Sequence, residues 1–453
     1  MAVRSKQEIE GATYDGSLAF AGGTIERYRL KNGLEILVMA DKSAPTVSYF
    51  TWYKVGSRHE KAGKTGLAHL FEHLMFNETE QMKAGEFDRK FEESGAETNA
   101  ATWFDWTYYY ESLPADRLPL AIQLESDRMA HLVLREPQVA SEKEVVANER
   151  RFVVDDSVEG TANELLYKTA FERHPYHWPT IGWMTDILGF SPDDCAAFYK
   201  TFYAPNNALI VVVGDLKPRD VVARIVTAYG ALPPATIPAE DYAPEPQQIE
   251  ERRVTIAQPT PTEKIVMGYR GPAFGDADHA ALSLLVEVLF GGRASRMHRK
   301  LSVELEIATD LKGWVSTFKD PGLVEMYATV REGNSSKAVL HAMDQELERV
   351  RRDLVSDDEL ARAKSRIELS LLRALETAAG KAEQIGLYAT VLGDPAGAMT
   401  RLDAYRRATA GDLRIAARRH LVDSLRTVVS VTPEDESVRA AGVGASSASA
   451  EAS

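Results

Sequence analysis

Cysteine is almost absent from this 453-residue chain, which has only Cys195. No intrachain disulfide can form, and a zinc site built on thiolates is excluded. Cys195 stands in an apolar-periodic stretch with Phe198 and Tyr199, so it reads as a buried structural thiol rather than a nucleophile. Histidine is scarce as well, with 10 in the chain, which leaves few positions for an imidazole-based site. No apolar run reaches the roughly 18 residues of a membrane-spanning helix, so no membrane partner is expected. Residues 1–10 hold no apolar core of signal-peptide length. As written, the chain is expected in the cytoplasm; a mature form that has lost a leader would belong to the periplasm. Positive charge is in deficit, with 53 Lys and Arg against 67 Asp and Glu and a net charge of −14. No basic cluster marks a duplex-binding face, so no nucleic-acid partner is expected. The acidity reads as an ordinary soluble surface; inside a cavity it would favour basic peptides.

What is present is enough apolar material, 44%, for more than one core, and a single core rarely grows past about 250–300 residues. Strand-like and helix-like periods alternate, which predicts an α+β fold. Residues 24–39 read as two strands around an Asn32-Gly33 turn, and 47–53 as a third strand. Helical periods follow at 65–75, 84–94, 116–131 and 141–151. The continuous apolar run at 208–214 has the pattern of a buried strand. Five prolines fall within 232–248, the composition of an extended linker. After it the plan repeats: a strand at 264–269, helices at 278–290, 335–351 and 356–378, and a closing strand at 425–431. The expected organisation is a first domain over 1–231, a linker over 232–250, a second homologous domain over 251–435 and a disordered tail over 436–453. Each domain is expected to be an α/β sandwich, an antiparallel-rich sheet flanked by helices.

The segment His69-Leu-Phe-Glu72-His73 carries the chemistry. Residues four apart share a helix face, so His69 and His73 can grip one ion, with Glu72 at the edge of that face. Leu67, Ala68, Leu70, Phe71, Leu74 and Met75 make the other faces apolar, and the helix should be buried. Two imidazoles and a carboxylate buried there need a metal or a dense hydrogen-bond network. The plainer alternative is a pair of core histidines bonded to backbone carbonyls. Two histidines leave a catalytic zinc site one protein ligand short. The helix at 141–151 offers Glu142 and Glu149, two turns apart on one face, with Val145 and Val146 for apolar contact. A solvated charged face with Lys143, Arg150 and Arg151 as partners is the other reading of those glutamates.

The whole pattern resembles the pitrilysin/insulin-degrading/processing-peptidase family of inverted zincins, whose signature is H-x-x-E-H. The resemblance extends through Asn32-Gly33-Leu34, Gly95-Ala-Glu-Thr-Asn99-Ala100 with Asp105 and Thr107, Pro175-Tyr176, Pro179-Thr-Ile-Gly-Trp183 and Phe202-Tyr203-Ala-Pro205-Asn206-Asn207. It implies that His69, His73 and Glu149 ligate one Zn2+, and that Glu72 acts as general base on the water the zinc activates. It implies that Glu142 stands behind the ligands, orienting one and tuning its charge. It further implies a two-domain half-shell that closes a chamber with a second half-shell. Asn99 and Ala100 resemble the edge strand on which the family binds unfolded peptides by main-chain pairing; on its own, Asn99 could equally close a turn after Gly95. Trp103, Phe104, Trp106, Tyr108, Tyr109 and Tyr110 alternate in a strand-like way and read as core and sheet packing.

The sequence also departs from the family. The helix beginning at His279 lacks paired histidines, so one metal per chain is expected. An Arg and a Tyr complete the family's sites from the C-terminal side, and Ser302 and Thr309 stand at the matching positions. An oxyanion needs a cationic or phenolic donor beside it. The expectation is therefore a zinc endopeptidase chain that needs a homologous partner subunit, as a heterodimer, or else pairs with itself. The alternative is a non-catalytic scaffold subunit of the same fold that keeps its zinc; a closed structural zinc site would need a fourth protein ligand that the sequence does not offer.

Overall fold

The computed structural model describes residues 9–434. The tail expected to be disordered over 436–453 lies outside the described residues, as do the first eight positions of the stretch read for a leader. No helix among the described residues is long and apolar enough to cross a membrane.

Among the described residues, twelve strands form two sheets. The first holds β1 (Ala12–Phe20), β2 (Gly23–Leu30), β3 (Glu35–Ala40), β4 (Thr46–Tyr53), β5 (Glu97–Thr102), β6 (Thr107–Pro114) and β7 (Ala208–Gly214), in the order β1-β2-β3-β7-β4-β6-β5. The second holds β8 (Arg252–Gln258), β9 (Lys264–Arg270), β10 (Ala308–Val315), β11 (Leu323–Val330) and β12 (Arg426–Pro433), in the order β10-β11-β9-β12-β8. Pairing is antiparallel except for β3 with β7 and β8 with β12. Read from those parallel pairs outward, β3-β7-β4-β6-β5 and β8-β12-β9-β11-β10 are one topology used twice. The first sheet adds β1, paired antiparallel with β2, a strand that the sequence reading did not include.

Two compact units result. All strands of the first sheet precede residue 231 and all of the second follow 251, yet residues 151–173 belong to the second unit and residues 368–404 to the first. Val158–Ala170 packs on β8, β9 and β12, and Ala378–Leu392 packs on β4 and β7. Each goes where its apolar side finds a sheet face. Residues 233–249 form neither helix nor strand.

In the first unit the period of two sorts side chains between layers. Phe50 and Trp52 of β4 and Tyr108 and Tyr110 of β6 make one aromatic face, with ring centroids 4.5–5.5 Å apart where they meet. Tyr49, Thr51, Tyr109 and Glu111 point the other way, toward the helices Leu118–His131, Pro218–Tyr229 and Leu67–Leu74. Trp103 departs from the expectation of core packing: it is 43% exposed, because it sits in the turn between β5 and β6.

A fully buried ionic group lies under this face. Arg128 pairs with Glu125 and with Glu111 (3.3 Å), and Thr51 Oγ1 donates to Glu125 at 2.7 Å. Its guanidinium stands 4.3 Å from the Tyr109 ring centre and 4.6 Å from that of Phe87. Burial, then the charge of Glu125, pushes the Glu111 carboxyl well up. Arg128→Met would leave two carboxylates facing each other in the core. We expect it to cost about 3–5 kcal/mol, read as a lowered urea midpoint.

Candidate metal centre

The helix Leu67–Leu74 follows the sequence pattern: Leu67, Ala68, Leu70, Phe71 and Leu74 are buried, and His69, Glu72 and His73 share what remains. Phe71 packs against Phe198, Tyr199 and Tyr203, and its carbonyl accepts the Tyr109 hydroxyl at 2.8 Å. The N-terminus starts at Gly66, which has no side chain to cap it. Glu60 takes that role, accepting from the N–H groups of Gly66 (2.8 Å) and Ala68 (2.7 Å). Burial pushes the Glu60 carboxyl up against those two bonds. A cap from six residues upstream of Gly66 is not a capping box, so sequence reading missed it; its signal was a lone acid just ahead of a helix start.

Glu149 and Glu142 lie on the helix Glu136–Arg150, which starts earlier than the expected 141 and ends in a π-type turn at Arg151–Asp155. Two of the basic residues offered as partners for those glutamates go elsewhere: Lys143 donates to Phe190 O (2.7 Å) and Arg150 to Gly182 O (2.7 Å). Of the two valines, Val146 is buried and Val145 is exposed.

The side chains then converge. Glu149 Oε2 stands 3.1 Å from His69 Nε2 and 3.2 Å from His73 Nε2. One ligand atom from each of the three lies within 4.8 Å of the others, the one such group of His, Cys, Asp and Glu among the described residues. Glu72 Oε2 is 3.5 Å from His69 Nδ1. Glu142 accepts from Asn77 Nδ2 (3.0 Å) and lies 3.8 Å from His73 Nδ1, beside that ligand but beyond hydrogen-bond reach. Burial disfavours the charged His69 imidazole, yet Glu149 and Glu72 outweigh it and hold its pKa at about 9. Hydrogen bonds from His69 and His73 keep the Glu149 carboxyl far below the usual range. Burial opposes charge on Glu72, but contact with His69 and the field of His73 bring it below its ordinary value. With two carboxylates beside the imidazoles, the cluster can hold a positive charge at its centre.

The other expected site residues sit apart from these ligands. Asn99 and Ala100 are in β5, the outermost strand of its sheet, rather than in a turn, and β5 contacts the motif helix. Ala100 N–H donates to Asn99 Oδ1 at 2.8 Å. In the second unit, His279 is a bonded core histidine, 3.0 Å from Ser316 O and 3.3 Å from Ser283 Oγ.

Residues 35–182 match the family model described as Insulinase (Peptidase family M16), and residues 189–367 match Peptidase M16 inactive domain. The zinc protease PqqE of Helicobacter pylori is 30% identical over 415 residues, spanning 90% of this chain and 93% of the relative. The chain belongs to peptidase family M16. A solved protease from Helicobacter pylori superimposes with a TM-score of 0.87 at 29% identity, over 90% of this chain and 99% of that one. A probable mitochondrial-processing peptidase subunit beta of Arabidopsis thaliana is 25% identical, over 79% of this chain and 68% of the relative.

Zinc is the metal the family implies, and the residues fit it. Tetrahedral N/O ligands about 2.0–2.1 Å from zinc stand about 3.4 Å from one another. The 3.1 and 3.2 Å separations from Glu149 to the two imidazoles are close to that value. Two imidazoles and one carboxylate are also the donor set of an open, catalytic site rather than a closed structural one.

Proposed function

We propose that this chain is a zinc-dependent endopeptidase that hydrolyses unfolded peptides, with His69, His73 and Glu149 as the metal ligands. The observation that carries this reading is the convergence of three ligand atoms from two helices, with an ionised carboxylate, Glu72, beside them. Bound zinc supplies a Lewis acid and lowers the pKa of water toward about 7. Glu72 takes the proton of the attacking water and delivers it to the leaving amine. Glu142, 3.8 Å from His73 Nδ1, stands behind that ligand and orients its imidazole toward the centre. The free edge of β5 at Asn99 and Ala100 offers main-chain pairing to an extended peptide, with the Asn99 side chain giving up the Ala100 N–H as the peptide arrives. Binding through backbone groups tolerates many sequences and excludes folded proteins.

The site takes its missing oxyanion donors from a homologous partner subunit, in a chamber closed by two half-shells. The name of the Arabidopsis relative, a subunit, agrees with an assembly of that kind.

The test is zinc content together with cleavage of a quenched unfolded peptide, in wild type and Glu149→Gln. Wild type is expected to hold one zinc per chain. Glu149→Gln should bind it more than about a hundredfold more weakly, beyond the range for groups that merely support ligands. Zinc held equally well by the variant would remove Glu149 from the ligand set.

A further inference from the structure

Besides their direct packing, the two helices that carry the ligands are linked through Gly182, which touches the start of one and is bonded by the end of the other, and the proposed chemistry leaves this link without a role. Gly66, where the motif helix begins, has φ +96°, and Gly182 has φ +85°, both in the left-handed region. A β-carbon on Gly182 would lie 2.3 Å from Thr65 O and 2.5 Å from Gly66 Cα; one on Gly66 would lie 2.5 Å from Ile181 O. The two backbones touch, and no larger residue fits at either place. The contact is fastened on both sides. Thr65 donates its N–H (3.0 Å) and its hydroxyl (2.7 Å) to Asp186 Oδ2, and Trp183 N–H donates to Thr65 Oγ1 at 3.0 Å. Gly182 O accepts from Arg150 at 2.7 Å, and the Arg150 guanidinium lies 5.8 Å from the Trp183 ring centre. Arg150 is buried and follows Glu149 directly in the chain.

We infer that Gly182 and Arg150 form a strut that sets the separation of the motif helix from the glutamate helix, and through it the position of Glu149 over His69 and His73. They are positioning residues, acting on the ligands through the backbone rather than as ligands. This rests on the zinc-site reading above. A methyl group on Gly182 forces a shift of about 1 Å, and a preorganised site tolerates roughly 0.5 Å. Loss of the Arg150 donor leaves Gly182 O unbonded and frees the last turn before Glu149.

Lys143 provides the control. It ties the same helix to Phe190 O at 2.7 Å, but nearly two turns from Glu149. Zinc affinity is measured by chelator competition, alongside the melting temperature of the metal-free chain. Stoichiometric zinc on wild type decides the zinc-site reading by itself. Given that, Arg150→Met and Gly182→Ala should each weaken zinc about tenfold or more, the effect expected of groups that hold ligands in place. Arg150→Lys, which keeps a donor, should recover part of the loss. Lys143→Met should stay within about twofold of wild type, even where it lowers the melting temperature as much as Arg150→Met. Wild-type affinity in Arg150→Met, or equal weakening by Arg150→Met and Lys143→Met, would overturn the strut.

Discussion

Glu72→Gln should hold zinc as wild type does and cleave a quenched unfolded peptide about 10²–10⁴ times more slowly, the range for a general acid–base group. The substitution is nearly isosteric and leaves His69, His73 and Glu149 in place. It removes the one carboxylate on the motif helix that stands beside the ligands without belonging to them. In the structure that carboxylate is kept ionised by its neighbours, so at neutral pH it is ready to accept a proton. An amide there can still hydrogen-bond to water but cannot take its proton. Metal content and kcat, measured on the same preparation, separate the two roles. Unchanged cleavage by Glu72→Gln would end the assignment of Glu72 as the base. Zinc held by wild type with no cleavage, alone or with any partner, would instead favour a scaffold subunit.

The helix of the candidate metal centre was legible because its sequence contradicts itself locally. Two imidazoles and a carboxylate stand in a segment otherwise composed of Leu, Ala and Phe, and burial without a charge to balance them would be costly. The central strands were legible for the same physical reason. β7 is apolar throughout and buried throughout, and the Asn32-Gly33 turn fixes the β2–β3 hairpin. Glu149 was harder. Its helix reads as well for a solvated face as for a ligand, and what favours the second is three-dimensional: Glu149 lies 3.1 and 3.2 Å from the His69 and His73 imidazoles, while Lys143 and Arg150 bond distant carbonyls. No local pattern announces those carbonyls.

What periodicity cannot show is which sheet a helix will cover. Val158–Ala170 and Ala378–Leu392 have ordinary helical sequences, and their assignment to the unit of the opposite half depends on apolar faces far away in the chain. The same limit hid Glu60 and the Gly66–Gly182 contact, which act across turns with no fixed spacing. The segment Pro179-Thr-Ile-Gly-Trp183 drew notice as a matching string. Its physical content, a glycine that must touch another glycine, needs the third dimension.

The purified chain should be a slow peptidase, and a homologous chain that carries the missing Arg and Tyr should accelerate it by about 10² or more. Removing a single oxyanion donor typically costs about 10²–10³ in kcat, and here two positions are affected. Ser302 lies in the π-type helical turn His298–Glu304, and Thr309 is in β10, where its side chain is exposed. Neither supplies a cation or a phenol. Of the two nearby basic residues, Arg299 is exposed in the same turn as Ser302, and Arg296 is already committed: its Nε and one terminal nitrogen each bond Glu359 at 2.7 Å. Drawing it away would break a two-pronged, half-buried ion pair and leave Glu359 without its partner. A second copy of this chain brings the same Ser302 and Thr309, so self-pairing does not restore the donors. The measurement is kcat for a quenched peptide against added partner at fixed chain concentration, with sedimentation to report whether the lone chain pairs with itself. Stimulation that saturates near one partner per chain is the expected result. A lone chain as fast as the mixture would mean that donors already present on this sequence complete the site.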